Sequence, residues 1–198
     1  MTKRTPNEKL MYCMAFAKNI VNQWLLNPDI YVLLDTETTG IHSDDEICEI
    51  AITDTAGNCL LHSYVRTQKP ITAEAAAVNH ITEEMLSNAP TFPELWPQIC
   101  KCIEGKIYIA YNSSFDTRML RQELERHKLE LPLSGMVGTC AMKMFGTYCG
   151  KDKTKISLQN AMRMLGIDHE QTHSALDDCF CMLELLRAIV KQEVSYAV

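Results

Sequence analysis

Residues Ile30 to Gly40 read IYVLLDTETTG and carry the clearest fold signal in the chain. The run from Ile30 to Leu34 is apolar and partly β-branched, which predicts a buried strand rather than a helix. Because strand side chains alternate, Asp35 and Glu37 are expected side by side on one face at the strand end. The Thr-Thr-Gly that follows offers hydroxyls and free amides to a ligand. An acidic turn without a ligand is the alternative for this segment alone.

A second acidic position follows another predicted strand, at residues 106–111. Helical periodicity then runs from Phe115 to His127, with Ser113, Ser114 or Asn112 as candidate caps. Asp116 is therefore expected in the first turn, where the helix dipole favours an anion. Taken alone, such an acid is more simply a capping residue.

The third segment adds a histidine. Apolar spacing from Thr172 to Ile189 predicts a helix with Asp178 in its early turns and His173 at or just before its start. Imidazole titrates near neutrality and suits a general base. The alternatives are an exposed helix-start histidine without a chemical role, and Asp177 as the competing acid, which is expected to be rotated away.

Together the three segments supply four carboxylates and one imidazole. Carboxylates repel one another, so a fold that gathers them needs positive charge, which hard divalent cations with oxygen ligands provide. The pattern predicts a two-metal phosphodiester hydrolase.

The segments resemble the three exonuclease motifs of the DnaQ-like, or DEDDh, 3′-to-5′ exonuclease family, which includes polymerase III proofreading subunits and RNase T-type enzymes. The DTETTG run from Asp35 matches motif I, Asn112 to Asp116 fits motif II, and His173 with Asp178 fits the histidine-bearing form of motif III. The resemblance spans roughly residues 30–186.

The resemblance implies an α/β, RNase H-like fold: a mixed five-stranded sheet, made of an antiparallel meander plus parallel strands, flanked by helices. The sequence agrees, since residues 46–53 and 58–65 read as strands joined by a hairpin turn at 54–57. Helices are predicted at 73–79, 83–87 and 92–103. We expect an exonuclease domain at 30–192 and, at 1–29, an N-terminal helical extension packed on it, with a dimer or partner surface as the minority interpretation.

The resemblance also implies the roles of individual residues. Two Mg²⁺ (or Mn²⁺) ions are expected, and His173 would deprotonate the attacking water. The expected metal ligands are Asp35, Glu37, Asp116 and Asp178, and the expected substrate-binding residues are Thr38, Thr39, Asn112 and Phe115. His80 lies in a segment similar to one in many relatives, and a structural polar contact is its expected role.

The implied activity is 3′-to-5′ hydrolysis of single-stranded nucleic acid ends to nucleoside 5′-monophosphates, with DNA favoured over RNA. An RNA-trimming exoribonuclease, a non-catalytic nucleic-acid-binding module of the same fold and an RNase H-type endonuclease are the alternatives. The partners are single-stranded DNA or RNA 3′ ends, with a polymerase or a second copy of the chain left open.

Composition is consistent with a compact cytoplasmic enzyme that does not contact membranes. The chain has 198 residues, a net charge of −6 and nine cysteines, with no recognisable leader, which favours free thiols over disulfides. The negative charge argues against coating long nucleic acids, although an enzyme that grips only an end needs no basic surface. Residues Lys151 to Lys155 are expected in a solvated loop, with contact to substrate phosphates as the alternative. A metal pair at His169 and His173 is disfavoured because that stretch reads as a loop.

Overall fold

The computed structural model describes residues 5–132, 134–151 and 155–192. The strands are β1 (Tyr31–Thr38), β2 (Ile47–Asp54), β3 (Cys59–Tyr64), β4 (Ile107–Ala110) and β5 (Val137–Cys140). The helices are α1 (Pro6–Leu26), α2 (Ala73–Asn79), α3 (Glu83–Leu86), α4 (Phe92–Ile103), α5 (Ser113–His127), α6 (Ala141–Tyr148), α7 (Leu158–Met164) and α8 (Ala175–Lys191).

The five strands form one sheet in the order β3-β2-β1-β4-β5. The first three pair antiparallel as a meander, while β4 pairs parallel to both β1 and β5. The predicted mixed sheet is confirmed. Because β1 and β4 run in the same direction, their carboxyl ends open toward one edge, where the acidic segments follow.

Each face of the sheet is covered by a different set of helices. Leu33 of β1 packs in a core with residues of α1, α6, α7 and α8, whereas Val32 and Leu34 pack with residues of α4 and α5. This alternation follows from the period of two along a strand. Asp35 and Glu37 share the parity of Leu33, so they lie on the α8 side.

The N-terminal helix packs on this core. Its start is fixed by a capping box in which Thr5 and Glu8 exchange backbone and side-chain hydrogen bonds. Ala17, Val21 and Trp24 are buried against the core that contains α6 and α8. Within residues 5–132, 134–151 and 155–192, no helix has the length and apolar character needed to cross a bilayer.

One element boundary differs from expectation. Strand β1 includes Asp35 and Glu37 as expected and ends at Thr38, because its ladder with β2 continues through the acidic segment. Helix α8 begins at Ala175 rather than Thr172, because His173 has a left-handed backbone (φ 56°) that a right-handed helix cannot contain.

His80 and the cysteines also have defined places. His80 ends α2 in a left-handed conformation, with an exposed side chain and its N–H donating to the Ala76 carbonyl at 3.0 Å. Its structural polar contact is therefore a backbone cap. All nine cysteines lie in the described residues and are free thiols.

Candidate active site

A cavity of about 520 Å³ opens beside the ends of β1 and β4 and brings the three acidic segments together. The sequence-predicted residues that line it are Asp35, Glu37, Asn112, Phe115, Asp116, His173 and Asp178. The segments are far apart in the chain, so the tertiary fold alone brings them to one cavity.

Three carboxylates form the tightest group. One carboxylate oxygen from each of Asp35, Glu37 and Asp178 lies within 4.8 Å of the other two. Asp116 approaches from the first turn of α5 and is 3% exposed. It lies outside that group, although it lines the same cavity, and its Oδ1 accepts a hydrogen bond from Thr36 Oγ1 at 3.0 Å.

Burial makes this arrangement electrostatically costly. Burial, with the charge of neighbouring carboxylates, raises the pKa of Glu37 to about 8 and the pKa of Asp35 well above its usual range. Burial also raises the pKa of Asp116 and the pKa of Asp178 to about 7, although hydrogen bonds from Thr36 and Gln171 partly oppose the rise. Without added positive charge, the cluster therefore retains protons near neutrality.

The donor set fits a divalent cation. Asp178 Oδ2 accepts a hydrogen bond from Gln171 Nε2 at 2.5 Å, while its Oδ1 is buried without a hydrogen-bond partner among the described residues. Buried polar atoms rarely stay unpaired. A hard cation such as Mg²⁺, which prefers carboxylate oxygens, would satisfy this atom and offset the repulsion within the cluster.

His173 lies in the loop just before α8 and lines the same cavity. Its left-handed backbone is uncommon for a residue other than glycine, and such conformations persist only where neighbouring contacts impose them. The next two residues, Ser174 and Ala175, both donate hydrogen bonds to Glu49 on β2.

Asp177 points away from the cavity. Its Oδ2 accepts from the Thr172 N–H and Oγ1, both at 2.8 Å, and its Oδ1 lies 3.1 Å from His169 Nε2. His169, Asp177 and Cys181 form a second group of potential metal ligands, yet their polar atoms already pair with one another. These bonds secure the loop on α8.

A second cavity of about 590 Å³ adjoins the first, and Glu37 and Phe115 line both. Thr38 faces this second cavity. Thr39 does not line either cavity, because it is fully buried and its Oγ1 accepts from the Glu46 N–H at 3.0 Å. The structure therefore buries Thr39 away from both cavities, and its expected role in substrate binding stays a prediction.

The structure describes only part of the lysine-rich segment at residues 151–155. Residues 152–154 lie outside the described residues, whereas Lys155 is exposed and lines the first cavity. Its position favours the phosphate-contact alternative for Lys155 over a purely solvated loop.

Sequence reasoning did not identify three residues that support the site: Thr36, Glu49 and Gln171. Glu49 carries a signal, because it is the one acid in the otherwise apolar run from Ile47 to Ile52. Thr36 and Gln171 carry none, since their roles depend on contacts with Asp116 and Asp178.

The mixed sheet and the carboxylate-lined cavity define an α/β nuclease. The solved structure of Exonuclease X in complex with 5′ overhanging duplex DNA is similar, with a TM-score of 0.61 and 27% identity over 81% of this chain and 90% of that one. The RNase H-like fold predicted from sequence is confirmed.

Residues 32–186 match the RNase T family model, described as Exonuclease, and the chain belongs to this exonuclease family. It is 33% identical to the uncharacterized exonuclease CP81 of Escherichia phage 186, over 85% of this chain and 91% of that protein. It is also 33% identical to the DNA polymerase III subunit epsilon of Treponema pallidum (strain Nichols), over 81% and 76% of the two chains. The predicted DnaQ-like relationship is confirmed, and the chain is a nuclease.

Proposed function

We propose that this nuclease removes nucleotides one at a time from the 3′ ends of single-stranded nucleic acid, with DNA favoured, and releases nucleoside 5′-monophosphates. The observation that carries the proposal is the convergence of Asp35, Glu37, Asp116, His173 and Asp178 on one cavity. The direction of cleavage rests on the match of these residues to the DEDDh motifs.

The carboxylates Asp35, Glu37, Asp116 and Asp178 would hold two Mg²⁺ or Mn²⁺ ions. Bound divalent ions would lower the pKa of water and stabilise charge on the attacking and leaving oxygens. The orphaned Oδ1 of Asp178 supports this assignment because a cation would give that atom a partner. The pKa of Glu37, raised by burial and by neighbouring carboxylates, supports it because a cation would offset the repulsion among the carboxylates.

His173 acts as the general base. A ring nitrogen of His173 takes a proton from the water that attacks phosphorus, and the bond from phosphorus to the 3′ oxygen breaks. The 5′-phosphate leaves with the terminal nucleotide, and the 3′ oxygen of the shortened strand takes a proton from water to become a 3′ hydroxyl. This role is supported by the position of His173 in a left-handed turn before α8, where it lines the same cavity as the four carboxylates.

The second cavity provides a place for the terminal base. It is lined by Thr38 and by the side chains of Ile41, Val78 and Phe115, of which Ile41 and Val78 are 70% and 49% exposed. Apolar and aromatic surfaces accept the flat face of any base, which gives end binding without sequence preference. A base separated from its partner fits such a cavity, which supports a single-stranded end.

Two basic side chains among the described residues are available for contact with the rest of the strand. Lys155 lies at the first cavity, where it can meet a phosphate, and Arg118 lies 5.2 Å above the Phe115 ring. The net charge of −6 limits the enzyme to a short grip on the end.

The test uses 5′-labelled single-stranded DNA and RNA of matched sequence, incubated with Mg²⁺. We expect a ladder that shortens from the 3′ end, and Asp116→Asn should abolish it. Glu125→Gln is the matched control, because it removes a carboxylate from the exposed side of the same helix. Discrete internal cuts would support an endonuclease, absence of cutting by the wild type would support a binding module, and faster loss of RNA would support an exoribonuclease.

A further inference from the structure

Glu49 is a buried carboxylate that the mechanism above does not use. It lies in the middle of β2, is 1% exposed, and stands directly opposite Glu37 in the antiparallel ladder. Directly opposed residues share a face, and like charges in such pairs are destabilising. Burial of a charge is unfavourable unless the charge is paired and hydrogen-bonded. A compensating set of contacts is therefore required.

Those contacts join Glu49 to the start of α8. Its Oε1 accepts from Ser174 Oγ at 3.0 Å, its Oε2 accepts from the Ala175 N–H at 3.1 Å, and His62 Nε2 lies 2.7 Å from Oε1. Both oxygens are thus occupied. The Ala175 N–H is one of the unpaired donors at the positive end of a helix, which favours an anion there.

This arrangement replaces an ordinary helix cap. Thr72, Thr82 and Ser157 each cap their own helix by accepting a backbone N–H. Ser174 occupies the same position on α8, yet its hydroxyl makes no cap and donates to Glu49 instead. Since serine alone serves as a good cap, helix stability does not require a buried acid here.

The Glu49 contacts also constrain the residues next to Ser174. His173 precedes it in the left-handed turn, and Asp178 donates its backbone N–H to the Ser174 carbonyl at 2.9 Å. Fixing Ser174 to β2 therefore fixes the imidazole and the α8 carboxylate relative to the acids of β1.

We propose that Glu49 is a positioning residue, which ties the start of α8 to β2 and thereby sets the place of His173 and Asp178 against the Asp35 and Glu37 pair. The proposal rests on the nuclease function above and adds a residue outside the metal ligands and the base. His62 completes the contact by offering a partner to the buried carboxylate from the edge of the sheet.

The test compares Glu49→Gln and Glu49→Ala with Thr53→Val. Thr53 is a fully buried polar residue on the same strand, and its Oγ1 has no partner among the described residues, so its change perturbs β2 without removing a hydrogen bond to Ser174 or Ala175. The measurements are kcat and KM on a single-stranded oligonucleotide, the Mn²⁺ concentration for half-maximal activity, and the urea midpoint. Circular dichroism verifies that each variant is folded.

We expect kcat to fall about tenfold in Glu49→Gln, which keeps one acceptor, and about 100-fold in Glu49→Ala, with KM and Mn²⁺ dependence within twofold of wild type. Thr53→Val should keep the wild-type kcat. Unchanged kcat in both Glu49 variants, with only a lower urea midpoint, would reduce Glu49 to a stabilising residue and overturn the proposal. A loss of Mn²⁺ affinity as large as that of Asp178→Asn would make Glu49 a metal ligand and would also overturn it.

An activity-independent measurement separates this proposal from the proposed function. In protein labelled with ¹³C-histidine, the ring signal of His173, assigned with His173→Gln, should shift in Glu49→Gln and stay in place in Thr53→Val. If the wild type fails to cut any nucleic acid, the proposed function fails and this signal still decides the positioning role. A His173 signal that is identical in wild type and Glu49→Gln would refute it.

Discussion

Removal of divalent ions should make the stability of this protein fall as pH rises from 5 to 7. In the folded chain, burial and neighbouring carboxylates raise the pKa of Glu37 to about 8, and burial raises the pKa of Asp178 to about 7. In the unfolded chain both groups titrate near pH 4. Between pH 5 and 7 the folded cluster keeps protons that the unfolded chain has released.

The sign and the size follow from linkage. A carboxyl group whose pKa is raised on folding contributes its full stability below pH 4, and the contribution is lost as pH rises through the folded pKa. One retained proton changes the free energy of unfolding by about 1.4 kcal/mol per pH unit, or about 3 kcal/mol between pH 5 and 7. With a urea slope of about 2 kcal/mol/M, the midpoint should fall by about 1.5 M for each retained proton.

The assay is urea unfolding of metal-free protein at pH 5, 6 and 7, followed by fluorescence of the buried Trp24 and Trp96. Asp178→Asn should reduce the pH slope by about one proton, while Glu125→Gln should leave it unchanged because that side chain is exposed. Subtracting the pH slope of Asp178→Asn from the wild-type slope removes the contribution of titratable groups elsewhere in the chain. Saturating Mn²⁺ should stabilise the wild type more at pH 7 than at pH 5. A flat or rising midpoint, or equal slopes in wild type and Asp178→Asn, would refute the electrostatic account of the site.

Further predictions concern single residues. His173→Ala should lower kcat by about 100-fold or more while calorimetry still detects Mn²⁺ binding, and full activity at saturating Mg²⁺ would show that the base is assigned wrongly. Phe115→Ala should raise KM for single-stranded DNA about tenfold through lost stacking, with little change in the urea midpoint; an unchanged KM would remove Phe115 from the substrate site. Gly40→Ala should lower stability by about 2 kcal/mol in thermal melts, because a Cβ there would lie 2.4 Å from the buried Oδ2 of Asp45. Trp24→Ala should cost about 3 to 5 kcal/mol in urea unfolding by opening the contact of α1 with the core, and a cost below 1 kcal/mol would mean that α1 is loosely attached.

Periodic patterns among neighbouring residues are the part of the sequence from which the strands and helices can be predicted. The apolar run before Asp35 and the helical spacing after Phe115 each encode the element that the structure shows, because a period of two or 3.6 is a property of consecutive residues. The same period places Asp35 and Glu37 on one face without knowledge of the rest of the chain. The spacing of the three motifs then indicates which distant segments of the chain join Asp35 and Glu37 at the site.

The start of α8 shows where local reasoning stops. Apolar spacing extends the helix back to Thr172, yet the hydrogen bonds from Ser174 and Ala175 to Glu49 belong to a contact between residues more than 120 positions apart. That contact accompanies the left-handed turn at His173, and no periodicity in residues 172–189 contains it. The hydroxyl of Thr39 is a similar case, since its burial follows from the loop that returns to Glu46.

The sequence by itself determined strands β1 to β4, helices α1 to α5 and α8, the four acids with their histidine, and the family to which this nuclease belongs. Tertiary structure alone decided which acids crowd together, which atom of Asp178 is left unpaired among the described residues, and how Glu49 contacts the start of α8. The physical reason is that side-chain periodicity is set between neighbouring residues, whereas burial, hydrogen-bond partners and pKa depend on groups that only the folded chain brings within a few ångströms.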